Sequence, residues 1–311
     1  MSFLDRPLYR DVRFVDRLRS LHSEPNEGAV ERSREKRSGP HAVLVDYHIH
    51  TPLCAHAEGE PAEYVERAIA LGIAEIGFCE HSPWKIQRPG EKLAPDDEEF
   101  AQLVRTVASL QHRYGETPSG PIRVRLSIEM DYVPDRLDRV RDYLDKYPWD
   151  YLVGSIHHLD QWGIDHPDYV AEYERRDIAK LYEEYFATVG DLAETGLFDV
   201  VGHVDVIKKF GYRPACDLRP LYRHMASVFR RADVVVELNT SGRDKEAGEF
   251  YPAPSFMAAL AAEKVPFTLG SDAHHPNEVG RHFAEARAML LDLGVGEIVA
   301  FEKRRRRFVP L

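Results

Sequence analysis

With 311 residues the chain can build one large domain or two small ones, and its 43% hydrophobic and 30% charged content is that of a water-soluble globular protein. No run of about 18 apolar residues is present, so no membrane span is expected, and a net charge of -11 speaks against nucleic-acid binding, which uses basic surface. Cys54, Cys79 and Cys216 are too scattered for a disulfide framework or a Cys-x-x-Cys metal site, and the N-terminus has no signal-peptide core, so a reducing cytoplasm is the expected compartment.

The first 22 residues space Phe3, Leu4, Leu8, Val12, Val15, Leu18 and Leu21 among arginines, a weak amphipathic helical pattern. Residues 23–41 are rich in Ser, Glu, Arg, Gly and Pro and read as a linker. Residues 1–41 are therefore expected to be an extension, partly disordered or loosely docked, ahead of a domain over 42–311.

From Val43 one unit repeats: a short apolar, β-branched run ends in a histidine or an acid, and a helix-like segment follows. Val43-Leu44-Val45 leads to His48 and His50, and 74–79 leads to Glu80-His81. Residues 122–128 lead to Glu129, 151–156 to His157-His158, and 198–202 to His203 with Asp205. Residues 234–236 lead to Glu237 and Asn239, and 265–270 to Asp272, His274 and His275. The spacers 60–71, 96–114, 134–146, 177–195, 218–231, 254–263 and 277–293 read as helices; Pro61 suits a first helical position and the acids after residue 96 suit a helix N-terminus. Such alternation predicts the α/β class with a parallel sheet, whose site lies at the carboxyl ends of the strands. In an open sheet the edge strands could not converge on one site. All seven runs end in chemistry-bearing groups, so a seven-stranded TIM-like (β/α)7 barrel is expected.

Residues two apart in a strand point the same way, so His48 and His50 leave the first strand side by side and can grip one metal ion. Thr51-Pro52 breaks the strand, and the following loop carries His56 back. Asp272 and His274 repeat the two-residue spacing. With His81, Glu129, His157 and His203 these make seven imidazoles and two carboxylates. A catalytic ion takes about three protein ligands and an open position, so nine groups suit two or three ions. Glu129, in an apolar Ser-Ile-Glu-Met context, needs cations to be buried and suits a bridge between two of them. A single histidine at such a place is most often a hydrogen-bonded core residue; seven at strand ends are not explained that way. His158 points away from His157. His112, His166, His224, His275 and His282 read as loop or surface histidines, Glu80 as a support, and Cys54 and Cys79 as buried thiols. Glu237 and Asn239 either touch substrate or fill the barrel end.

Nitrogen and oxygen ligands without thiolate favour zinc, iron or manganese. Adjacent divalent ions bind an anionic ester and activate water, which points to metal-assisted phosphoester hydrolysis. No Walker or Gly-x-Gly-x-x-Gly loop is present to cradle phosphate.

The run from Leu44 to Gly59, with Asp46-Tyr47-His48-Ile49-His50-Thr51-Pro52-Leu53-Cys54-Ala55-His56 at its centre, resembles the opening motif of the histidinol phosphatases of the PHP (polymerase and histidinol phosphatase) superfamily. Glu80-His81-Ser82-Pro83, Glu129, Gly154-Ser155-Ile156-His157-His158, Asp165-His166-Pro167-Asp168, Gly202-His203-Val204-Asp205, Lys208-Lys209-Phe210-Gly211, Glu237-Leu238-Asn239-Thr240 and Leu269-Gly270-Ser271-Asp272-Ala273-His274 follow in the family's order. The resemblance covers about 42–311 and implies a distorted seven-stranded barrel with a trinuclear metal site. It implies that His48, His50, Glu129 and Asp272 hold one ion. Glu129 bridges to a second held with His81, His157 or His203, and His56 and His274 serve a third. The implied reaction is hydrolysis of L-histidinol phosphate to L-histidinol and phosphate in histidine biosynthesis, by a metal-bridging hydroxide and without a protein nucleophile. Arg176 and Lys208 are candidate phosphate cations, and Asp160, Trp162 and Asp165 are candidates for the imidazole and amine. The run 304–307 reads as a solvated final segment. Three rivals are a PHP phosphoesterase for nucleotides or phosphotyrosine, a non-catalytic PHP module, and an amidohydrolase-type barrel. The loops around Trp84, Trp162 and Lys208 argue against the first, the complete ligand set against the second, and the lack of a marked lysine against the third.

Overall fold

The structure, a computed structural model, describes residues 42–87, 90–115 and 122–311; the helix and linker expected over 1–41 lie outside the described residues. Seven parallel strands form one sheet in the order β1 (Val45–Ile49), β2 (Glu75–His81), β3 (Arg123–Asp131), β4 (Val153–Ser155), β7 (Val200–Val201), β8 (Val235–Asn239) and β9 (Phe267–Gly270). The numbers missing there belong to a small hairpin, β5 (His158–Leu159) and β6 (Trp162–Gly163). Each strand of the sheet lies beside its predecessor, as βα units wound in one direction require. Past β9 the chain returns to β1: the His50 N–H donates to the Ala273 carbonyl at 3.0 Å, and the Ala273 N–H to the His48 carbonyl at 3.2 Å. The result is the expected α/β barrel of seven strands, nearly closed. β1, β2, β8 and β9 are buried along their whole length, because one face of each lines the barrel and the other meets helices; that is why their sequences are near-continuous apolar runs.

The surrounding helices are α1 (Pro61–Ala70), α2 (Asp97–Gly115), α3 (Leu137–Leu144), α4 (Ile178–Glu194), α5 (Arg219–Ala232), α6 (Pro254–Ala262) and α7 (Phe283–Asp292). α1 opens with Pro61 and a reciprocal capping box between Glu60 and Glu63. The Asp177 carboxylate caps α4 by accepting the Ala179 and Lys180 N–H groups. Leu181, Tyr185, Phe186, Val189 and Leu192 then bury one face of α4 at helical spacing. Two helices are shorter than their sequence pattern. The stretch 134–146 starts as a 3-10 turn, Pro134–Arg136. The stretch 277–293 is α-helical only from Phe283, because Gly280 and His282 take positive φ values of 67° and 57° that an α-helix cannot continue through. Among the described residues, no helix is long and apolar enough to cross a membrane.

The end of the chain corrects the sequence reading. Arg305 and Arg307 are exposed, but residues 304–307 are not a loose tail: they belong to an antiparallel hairpin, β10 (Glu297–Glu302) and β11 (Arg305–Pro310), laid across the amino-terminal mouth of the barrel. Phe301 is fully buried and stacks on Tyr151 at 5.5 Å. The Arg304 guanidinium donates to Asp199 and to the Leu197 carbonyl, each at 2.9 Å, while Arg306 pairs with Asp233 and Arg307 with Glu75. Those acids stand at the starts of β7, β8 and β2. The arginine-rich composition that suggested solvent is the positive half of a clasp.

Candidate metal centre

At the opposite mouth the strand ends bring the histidines together. Parallel register sets His81 directly beside Glu129, and the His81 Nδ1 lies 2.7 Å from Glu129 Oε2. The His203 Nε2 reaches Glu129 Oε1 at 2.7 Å and the His157 Nε2 reaches it at 3.3 Å. His48 Nε2 at 3.6 Å and His50 Nε2 at 3.9 Å complete the ring. One carboxylate, 1% exposed, thus faces five imidazoles from four strands and the loop ends that follow them. Asp272, at φ 52°, turns its carboxylate to within 3.4 Å of His50 Nε2 and 3.9 Å of His48 Nε2. His274 stacks on His50 at 4.3 Å, and His56, exposed at the mouth, stacks on His274 at 4.8 Å. All nine residues expected to be ligands therefore lie in one cluster at this mouth.

Three supporting carboxylates aim the rings. Glu237 Oε1 lies 2.8 Å from His48 Nδ1, Glu80 Oε1 lies 3.2 Å from His50 Nδ1, and Asp131 Oδ1 is bonded to His157 Nδ1. A carboxylate on Nδ1 fixes the proton there and leaves the Nε2 lone pair facing the cavity. Glu80 is itself held by the Thr51 hydroxyl and N–H at 2.6 and 2.8 Å. Glycine at position 270 is required by this close approach: a Cβ there would collide with the Glu237 carboxylate and with His48. Asn239 and Ser241 donate to Asp272 Oδ2 at 3.4 and 3.2 Å. Glu237 and Asn239 therefore hold the candidate ligands His48 and Asp272 and do not merely fill the barrel end.

The electrostatics divide the rings into two groups. Burial first, then Lys85 and His50, hold His81 well below the ordinary histidine range, and burial with His50 takes His274 down to about 3. Burial likewise lowers His56. These rings are neutral at physiological pH, the form a metal requires. Burial opposes charge on His48 and His157 too. Around His48 the carboxylates Glu237, Asp272 and Glu129 outweigh it, and Glu129 and Asp131 raise His157 to about 10. Burial alone would raise Glu129, but His157, His81 and His48 hold it well below the carboxylate range, so it is ionised.

This donor set fits divalent metal. The His48 Nε2 is buried with no hydrogen-bond partner although its ring is fixed by Glu237, so a metal cation there would replace the ring proton that the surrounding carboxylates favour. Ligand atoms of His48, His50 and Asp272, of His48, Glu129 and His203, and of His50, His81 and His274 lie within 4.8 Å of one another in each group. Cys54 Sγ falls in a further group with His56 and His274.

The residues expected at the substrate are placed less uniformly. Asp160, Trp162 and Arg176 line one surface cavity of about 350 Å³ with Tyr169 and Glu172, and the Arg176 guanidinium stacks 4.3 Å from the Trp162 ring centroid. Asp165 pairs with Lys209 at 3.4 Å. Lys208 corrects the sequence reading. It is 1% exposed, and its three N–H groups go to Asp205 Oδ2 at 2.9 Å, Glu249 Oε2 at 3.4 Å and the Phe250 carbonyl at 2.7 Å, so none is free for phosphate. Trp84 is also core, edge-on to Tyr143 at 4.7 Å. Two residues at the site were missed: Asp131, which the same two-residue spacing from Glu129 could have flagged, and Lys85, which sits in a turn that carries no periodic signal.

The sequence profile of the PHP domain matches residues 46–241. A probable histidinol-phosphatase of Deinococcus radiodurans is 41% identical over 263 residues, covering 84% of this chain and 98% of that protein. A histidinol-phosphatase of Bacillus subtilis is 26% identical over 259 residues, covering 76% and 95%. A crystal structure of histidinol phosphate phosphatase from Lactococcus lactis, complexed with zinc, L-histidinol and phosphate, shares the fold with a TM-score of 0.70 at 20% identity, over 85% of this chain and 98% of that one.

Proposed function

Because this chain belongs to the PHP-domain family, and within it to the histidinol phosphatases, we infer that its histidine-lined cavity hydrolyses L-histidinol phosphate to L-histidinol and inorganic phosphate, a step of histidine biosynthesis. The enzyme is a phosphoric monoester hydrolase. The observation that carries the reading at the level of chemistry is the buried, ionised Glu129 encircled by imidazoles at 2.7 to 3.9 Å.

Two or three divalent ions, of zinc, iron or manganese, would be held by His48, His50, His56, His81, Glu129, His157, His203, Asp272 and His274. When bound, they supply charge neutralisation for the phosphoryl oxygens and lower the pKa of water to that of a usable nucleophile. The chain's own contribution is preorganisation. Glu237, Glu80 and Asp131 hold three imidazoles in the tautomer that presents Nε2. Glu129, within 2.7 to 3.9 Å of five imidazoles, would be the carboxylate shared between ions when they are bound. Asn239 and Ser241 keep Asp272 aimed inward. No serine or cysteine nucleophile is needed, and the nearest thiol, Cys54, is pushed up to about 12 by burial first and then by the Glu80 charge. Asp160 and Trp162, on the hairpin that follows His157, are proposed for the histidinol end of the substrate, the Asp160 carboxylate being suited to its amine. A reducing cytoplasm suits the three free cysteines.

The test is phosphate release by purified protein loaded with manganese, zinc or iron, on L-histidinol phosphate against nucleotides, sugar phosphates and phosphotyrosine. Preference for histidinol phosphate that a chelator abolishes is the expected result. Metal-dependent hydrolysis that favours another ester would overturn the substrate and keep the chemistry.

A further inference from the structure

A buried cation lies beside the same histidine cluster, close enough to interact electrostatically with Glu129, His81 and His56, and has no part in the mechanism above. Lys85 follows β2 in a turn closed by its own N–H to the Ser82 carbonyl at 2.9 Å. The turn is pinned on both sides: the Ser82 N–H donates to the Glu129 carbonyl at 2.9 Å, and Arg136 donates to the Trp84 carbonyl at 2.6 Å. The side chain is 7% exposed and ends beside the candidate ligand His157. Its Nζ lies 3.1 Å from His157 Nδ1 and 3.5 Å from Asp131 Oδ1.

Those two contacts do not satisfy an ammonium. A lysine head group carries three donors and no acceptor. When His157 presents its Nε2 lone pair to the Glu129 side, its Nδ1 carries the proton and donates to Asp131, so it has nothing to accept from Lys85. Asp131 is then the remaining protein acceptor for Lys85 among the described residues, and 3.5 Å is a loose contact. A buried ammonium with donors to spare is built to receive an anion. The other cations considered for that task are engaged elsewhere: Lys208 is saturated, and Arg176 lies stacked on Trp162 in a surface cavity.

We propose that Lys85 is a phosphate-binding residue of this site, its ammonium donating to a peripheral oxygen of the bound phosphoryl group. The identity of the ester rests on the phosphatase reading; the binding of the anion does not.

The experiment measures inorganic phosphate binding to the metal-loaded protein by calorimetry, with metal content and thermal midpoint measured on the same samples, for wild type, Lys85→Met and Lys85→Arg. Lys85→Met is expected to bind phosphate about ten- to a hundredfold more weakly and to raise KM for the ester, with metal content at the wild-type level, and Lys85→Arg to recover part of the affinity. Should the methionine variant not fold, Lys85→Gln replaces it. Unchanged phosphate affinity overturns the proposal, as does loss of metal in step with loss of affinity, which would make Lys85 a support for His157. Lysine-dependent phosphate binding in a protein inactive on L-histidinol phosphate would uphold this proposal and sink the substrate assignment.

Discussion

Glu237 serves three donors with two oxygens. Oε1 takes the His48 ring at 2.8 Å, while Oε2 takes the His203 N–H at 2.6 Å and the Asn239 amide at 3.2 Å. A glutamine of the same shape cannot do this, because its amide NH2 would point a donor at a donor whichever way it is turned. Glu237→Gln is therefore expected to leave the barrel folded and to weaken metal binding about 10- to 100-fold, read by competition against a chromophoric chelator. Metal affinity equal to wild type would show that His48 does not depend on this carboxylate for its orientation. The clustering of the candidate ligands was legible, since histidines at strand ends carry their spacing in the sequence. The supports were legible only in part. Glu80 could be placed beside His81 on the opposite face, but Glu237 lies 189 residues from the ring it holds, and local periodicity carries no trace of such a partner. Lys208 misled for a related reason: a lysine in a glycine-bounded motif looks available until the fold delivers Asp205, Glu249 and the Phe250 carbonyl around it.

At the scale of elements, the barrel strands were legible because they are buried on both faces and so appear as apolar runs, whereas no strand was expected over β10 or β11 and 304–307 read as a solvated final segment. Their function is mechanical. Phe301 has its ring against Tyr151 and Tyr47, and its N–H bonds the Tyr47 hydroxyl at 3.1 Å. Phe301→Ala is expected to cost about 3–5 kcal/mol and to lower the thermal midpoint by several degrees, with metal content per folded molecule unchanged; calorimetry alongside metal analysis checks both. The β5–β6 hairpin offers a pH test. Burial, reinforced by Lys85 and His157, takes His158 down to about 4 despite the pull of Asp131. A histidine depressed in the fold contributes stability above its unfolded pKa of about 6.5 and loses it as pH falls toward the folded value. The thermal midpoint of wild type is therefore expected to fall relative to that of His158→Gln between pH 6.5 and 4. A constant difference across that window would mean that the ring is not held neutral by the fold.

For the whole molecule, the two mouths of the barrel divide stability from chemistry, as parallel barrels do, but one residue joins them to the seam that closes the sheet. Asp46, fully buried in β1, accepts the Ser271 N–H at 2.8 Å on one oxygen and the Gly280 N–H at 2.9 Å on the other. It thus ties the first strand to the segment that turns Asp272 and His274 into the cavity. Asp46→Ala would strand two buried donors at about 1–3 kcal/mol each and would release the backbone on which Asp272 holds its positive φ. The expected outcome differs in kind from that of Phe301→Ala: a lower thermal midpoint together with reduced metal content, because here the closure of the barrel and the aim of a ligand are the same hydrogen bonds. Metal content is to be compared at temperatures where each variant is fully folded. If Asp46→Ala keeps its metal while losing stability, the seam is only structural and the ligand geometry is set locally. If both variants lose metal in proportion to stability, the two mouths are not independent and the division argued here fails.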